Sequence, residues 1–145
     1  MGRVAFTVFA VAIASSTQAQ LAAGTWVLRE APQLSMVVEP AGSGYDITYH
    51  VVGPDGKAVR MTLRTPLDGS ETPFLIDGKP TGQTYAGRRV DSRHTTGVVK
   101  MNGKPIGTSR AELSADGKTI TVENDNTAAV GGNPVGKRIE HWDKR

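Results

Sequence analysis

From Tyr45 onward apolar and polar side chains take turns along the chain. Tyr45, Ile47, Tyr49 and Val51 fall on one face, and Asp46, Thr48 and His50 fall on the other. An alternation of period two marks a β-strand with one face turned away from water. The next run repeats it, with Val59, Met61 and Leu63 set against Arg60, Thr62 and Arg64. Between the two lies Gly53-Pro54-Asp55-Gly56, whose Asp-Gly step tolerates the positive φ of a chain reversal, so the pair is expected to form a β-hairpin. Similar turn chemistry recurs at Asp77-Gly78-Lys79, Asn102-Gly103-Lys104 and Asp116-Gly117-Lys118, with Ala41-Gly42-Ser43-Gly44 as a further breaker. Such a series predicts an antiparallel meander with strands at about 24–29, 34–39, 45–52, 57–64, 73–77, 83–92, 96–101, 105–113, 119–125 and 136–142. Past the N-terminal segment no apolar spacing of i, i+3, i+4 and i+7 lasts beyond a turn, so an all-β domain is expected. That many short strands leave exposed edges unless the sheet closes, which favours an up-and-down barrel of about 8–10 strands, with a β-sandwich as the alternative.

The first nineteen residues follow different rules. Arg3 precedes the apolar run Val4–Ala14, and Thr17-Gln18-Ala19 offers small residues where a signal peptidase reads, so residues 1–19 are expected to be a signal peptide cleaved near Ala19. The apolar run is far shorter than the roughly 20 residues of a membrane-spanning helix. Residues 20–145 then make a single domain, expected in the periplasm or secreted, and as a monomer. An outer-membrane barrel is not expected, because the alternating partners are Lys, Arg, Asp, Thr and His where lipid contact requires an apolar face.

Composition narrows the chemistry. The 145 residues include no cysteine, which removes disulfides, thiolate nucleophiles and Cys-based zinc sites. A net charge of +3 is too small to name a partner. His50, His94 and His141 have no metal-ligand spacing, and no Gly-x-Ser-x-Gly elbow exists. Asp91 and Glu112 face one another across strands only as scattered acids do on an antiparallel sheet. Gly131-Gly132-Asn133-Pro134-Val135-Gly136 lacks the ending of a phosphate loop, and Tyr45 and Tyr49 lack the interleaved basic residues of a nucleic-acid surface. Neither enzymatic activity, nor a cofactor, nor nucleic-acid binding is expected.

Gly24-Thr25-Trp26 at the first strand resembles the Gly-x-Trp signature of lipocalins. The serial Asx-Gly-Lys turns and the run Ser114–Val122 before the last strand are similar to small exported bacterial lipocalin-like proteins, over most of residues 24–142. There is no Thr-Asp-Tyr-like second signature, for which Asn124-Asp125-Asn126 is nearest in place, and no C-terminal helix. The resemblance implies that Trp26 plugs a closed barrel end beneath a cation from a late strand, Arg138 or failing that Lys137. It also implies a small apolar or amphipathic ligand inside. Tyr45, Ile47, Tyr49, Val59, Met61 and Leu63 are the candidate lining. Phasing from Ile106 and from Val90 adds Arg110 and Arg88 to the interior, where a ligand carboxylate would compensate their charge, unless bulges flip the phase and both meet water. The alternative function is a structural or interaction module of the cell envelope, its barrel filled by its own side chains, with Lys57, Arg60, Arg64, Arg88 and Arg89 forming a positive outer stripe.

Overall fold

The computed structural model describes residues 22–53, 55–129 and 134–145. The expected signal segment with its cleavage point, and Gly131, Gly132 and Asn133 of the glycine-rich loop, lie outside them. Ten strands follow in chain order: β1 (Gly24–Leu28), β2 (Ser35–Ala41), β3 (Gly44–Val52), β4 (Ala58–Thr65), β5 (Asp68–Ile76), β6 (Lys79–Arg89), β7 (His94–Met101), β8 (Lys104–Leu113), β9 (Thr119–Asn126) and β10 (Gly136–Lys144). Each strand pairs antiparallel with the next, and the sheet closes between β10 and β1 through Trp26↔Lys144, Val27↔Asp143 and Leu28↔Trp142. Closure removes the sheet's free edges and with them the sandwich alternative. Among the described residues no helix is long and apolar enough to cross a membrane.

The turns are where the Asx-Gly pairs act. Asp77 and Gly78 have φ of 51° and 78°, and Asn102 and Gly103 have 50° and 83°. Two successive positive φ values match the twist of a two-residue hairpin, and Asx-Gly is the pair that adopts them with least strain. Two strands depart from the expected bounds by three residues or more, β5 and β6, the latter also beginning at Lys79, four residues early. β5 begins at Asp68, five residues early, because it holds its place through irregular pairing around Glu71 and Pro73 that interrupts any apolar alternation. β6 ends at Arg89, since Val90 and Asp91 turn to hydrogen-bond the His94 carbonyl.

A bulge decides the fate of the two arginines assigned to the interior. Val99 pairs with Gly107 but Lys100 with Pro105, so Ile106 is an extra residue on β8. Ile106 and Gly107 are both buried, and beyond them Leu113 points inward while Thr108, Arg110 and Glu112 are exposed. An inserted residue exchanges the faces of everything after it. Arg110 therefore meets water. On β6 the buried position is Gly87, Val90 is 62% exposed, and Arg88 stands outside with its guanidinium across Gly69.

Inside, the barrel is solid at one end. Trp26, Leu28, Met36, Val38, Tyr45, Leu67, Leu113, Ile120 and Trp142 form one buried cluster at the end carrying the β2–β3, β4–β5 and β8–β9 connections. Above it lies a tier of rings. Trp142 of β10 sits edge-on to Tyr49 of β3 with centroids 6.4 Å apart, Tyr49 is 6.4 Å from Phe74 of β5, and Phe74 is 6.5 Å from Tyr85 of β6. These separations suit tilted and edge-to-face packing. The Tyr85 ring lies across Gly87 and Gly97, where any Cβ at Gly97 would overlap it. Two small residues on β6 and β7 thus make room for one large ring.

Candidate functional site: the barrel lumen

Above the aromatic tier the inward side chains no longer fill the barrel. A cavity of about 880 Å³ remains, lined by residues from strands around the barrel, and it reaches the far rim, where exposed Val52 and Arg138 border it. Its lower wall is apolar, built from Met36, Tyr49, Met61, Phe74, Val99 and Trp142. Nearer the rim Gln83, Asn124, Asn126, Arg138 and Glu140 take over. Strand alternation explains that gradient. Counting back by twos from buried Trp142 brings Glu140 and Arg138 to the same face, and counting forward from buried Ile120 brings Val122, Asn124 and Asn126.

The inward row of β10 is a connected polar chain. Arg138 donates from Nη2 to Glu140 Oε2 at 2.6 Å, and the Trp142 indole N–H donates to Glu140 Oε1 at 3.3 Å. Both carboxylate oxygens are occupied, which is what a mostly covered anion requires. Tyr49 feels the same environment. Its burial, with Tyr85 and the Glu140 carboxylate nearby, raises the phenol far above its ordinary range, and burial pushes the Tyr85 phenol up to about 12. Both rings are neutral across the biological range.

The candidate lining divides by height. Tyr49 and Met61 line the cavity. Tyr45 lies below it in the closed-end core, Ile47 packs against that core, Leu63 is buried, and Val59 is half-buried beside Gly53 in the rim turn. Arg88 and Arg110 contribute nothing to the interior.

Trp26 is fully buried at the closed end, and its indole N–H donates to the Ala22 carbonyl at 3.1 Å. The cation over it is Lys144, with Nζ 5.7 Å from the ring and its stem running past Gly24. Neither Arg138 nor Lys137 fills that place. β1 pairs only with the last residues of β10, so Arg138, six residues upstream, lies at the rim instead. Lys137 points outside toward Glu123 at 3.7 Å.

The outer surface carries charge in local pairs. Arg64 makes a two-pronged contact with Asp46, at 2.7 and 2.9 Å. Arg89 lies 5.7 Å from the Tyr45 ring and donates to the Ser43 carbonyl, while Lys57 and Arg60 are exposed. Asp91 and Glu112 do meet, with His94 between them: its Nδ1 is 2.7 Å from Asp91 and its Nε2 2.7 Å from Glu112. Hydrogen bonds that the ring donates to Asp91 first and to Glu112 second raise the His94 pKa above 6.5. A clamp of this kind holds a proton. Among the described residues no group of three or more His, Asp or Glu side chains is placed to hold a metal ion.

The polar rim is only indirectly visible in the sequence, because Asn124 and Asn126 count as inward only once β9 is phased from Ile120. No protein-family model matches the chain, and no curated protein is detectably similar to it.

Proposed function

We propose that this protein is a lipocalin-like binding protein that works outside the cytoplasm and holds one small amphipathic molecule in its barrel without converting it chemically. The observation that carries the reading is the cavity of about 880 Å³ above the aromatic tier, apolar below and polar at the rim. Its size falls in the range of about 300–1,000 Å³ common to small-molecule sites, and so does its make-up of apolar walls with a few placed polar groups. An apolar body would rest on Tyr49, Phe74 and Trp142, and a polar end would reach Asn124, Asn126 and Gln83. A holding role also suits the inward charges, because Arg138 and Glu140 are already engaged with each other.

Trp142 lines the cavity while Trp26 is sealed beneath it, which provides a built-in reporter. Titration with the neutral fluorophore N-phenyl-1-naphthylamine is expected to give one saturable site with energy transfer from tryptophan. Trp142→Phe should remove most of that transfer while binding persists, and lipids of the host envelope should displace the probe. A ligand at about a hundred times its Kd adds about 2.7 kcal/mol to stability. Absence of both saturable probe binding and thermal stabilisation by any lipid fraction overturns the reading.

A further inference from the structure

We infer that the molecule held in the lumen is uncharged, with a head group that both donates and accepts hydrogen bonds, such as a glycerol ester, an amide or a polyol ether, in place of a free carboxylate or amine. The inference rests on the reading above and concerns only the chemistry of the head group.

The argument is a count of charges facing the cavity. Of the described residues lining it, Arg138 and Glu140 are the ionised pair, 2.6 Å apart, and the Tyr49 phenol is held neutral by burial. The lining therefore sums to zero. Lys137 and Glu123, next along the same strands, pair on the outer surface and do not alter that sum. Glu140 is the more covered partner, with 17% of its side chain exposed against 44% for Arg138. It also receives the Trp142 indole, so both of its oxygens are committed.

An incoming carboxylate would have to share Arg138 with Glu140 or sit beside that second anion at close range. An incoming ammonium meets the mirror problem, since Glu140 is already capped by Arg138. Like charges brought together in a poorly hydrated site are costly, and such repulsion is how sites reject wrong partners. Among the described residues the remaining polar side chains are the carboxamides of Gln83, Asn124 and Asn126. Each offers one acceptor oxygen and two N–H donors. Three such groups around a neutral ion pair make a surface of mixed polarity with no net field, which suits hydroxyl, ester and amide functions.

Three probes with the same twelve-carbon chain separate the cases: 1-monolaurin, laurate and dodecylammonium, each titrated below its micelle-forming concentration by displacement of N-phenyl-1-naphthylamine. Monolaurin is expected to bind about tenfold more tightly than either charged probe, a factor typical of one discriminating charge contact. Glu140→Gln keeps an acceptor for Trp142 and the side chain's shape but removes the negative charge beside Arg138. That variant should move laurate to or above the affinity of monolaurin while dodecylammonium stays weak. Laurate or dodecylammonium binding the wild-type protein as tightly as monolaurin overturns the inference and leaves a binding barrel in place. An unchanged preference in a folded Glu140→Gln protein, judged by its circular dichroism and melting temperature, also overturns it. Failure of the fluorophore and all three probes to bind removes the binding reading itself.

Discussion

The two ends of the barrel are built by the same alternation and come out differently. At the closed end the inward positions hold Trp26, Leu28, Val38, Tyr45, Leu113 and Ile120, which meet across the lumen and leave no room. At the rim the inward positions of β9 and β10 hold Asn124, Asn126, Arg138 and Glu140, and the opposite wall holds Val51 and Val52. Interior packing at native density needs large apolar side chains from facing strands. Where one side supplies short amides and an ion pair formed within β10, the faces stay apart and a cavity persists. The period-two pattern thus decides which residues point inward, while their size and polarity decide whether the barrel is full.

The largest expected effects test that contrast directly. Trp26→Ala removes the fully buried indole at the centre of the closed end and should cost about 3–5 kcal/mol, read from urea unfolding. Met61→Ala trims a half-buried side chain that already borders empty space, and should cost only about 1 kcal/mol because little packing is lost. Equal costs would mean that the rim is as well packed in solution as the base, and the division of the barrel into a plug and a cup would fail.

How much of this division was legible in the sequence follows from particular residues. Most strands were readable because they carry their own alternation and because Asx-Gly or Gly-rich turns mark many of their ends locally, whereas β5 lacks a clean alternation and its start at Asp68 was hidden. Closure was readable from the same count, since so many hairpin-linked strands leave no other economical way to hide their edges. Phase beyond a bulge was not. Ile106 gives no sign in sequence that it is the extra residue on β8, so Arg110 counts as inward by alternation and outward in space. Interstrand register was equally hidden, because it depends on where a five-residue β1 settles against a nine-residue β10. That offset moved the cation over Trp26 from Arg138 to Lys144, and it moved Arg138 into the proposed binding site. Lys144→Gln should therefore cost about 0.5–1 kcal/mol in urea unfolding, the range for an exposed cation over an indole. Arg138→Gln should leave the near-ultraviolet circular dichroism of Trp26 unchanged. A larger perturbation of the plug by Arg138→Gln than by Lys144→Gln would reverse the assignment of the two cations to the two ends.

The smallest effects come from pH, where two exposed clamps respond in opposite directions. Near the closed end, His94 is held by Asp91 and Glu112 with its pKa raised above 6.5. A group whose folded pKa lies above its unfolded value contributes its stabilisation fully below the unfolded pKa and loses it as pH rises through the folded one. At the β1–β2 loop, Glu30 accepts the His141 backbone N–H at 2.7 Å and pairs with its ring at 3.2 Å. The backbone hydrogen bond from His141 is the main reason that the Glu30 pKa lies below 4.5. Here the sign inverts, because a depressed carboxylate stabilises above its unfolded pKa and loses that contribution as pH falls through the folded one. All these groups are well exposed, so water and salt screen both clamps and the global melting temperature should move little. Site-resolved titration by NMR is the sensitive measurement. The His94 ring should titrate with a midpoint above 6.5 that drops in Glu112→Gln, and the Glu30 carboxyl carbon with a midpoint below 4.5. Alkaline conditions then loosen the strap between β7 and β8, acid loosens the loop pinned to β10, and the barrel is most tightly held between the two midpoints. A His94 midpoint at or below 6.5, or one indifferent to Glu112→Gln, would show that the carboxylates do not clamp it in solution and would leave the acid-sensitive loop as the one pH-dependent clamp of the two.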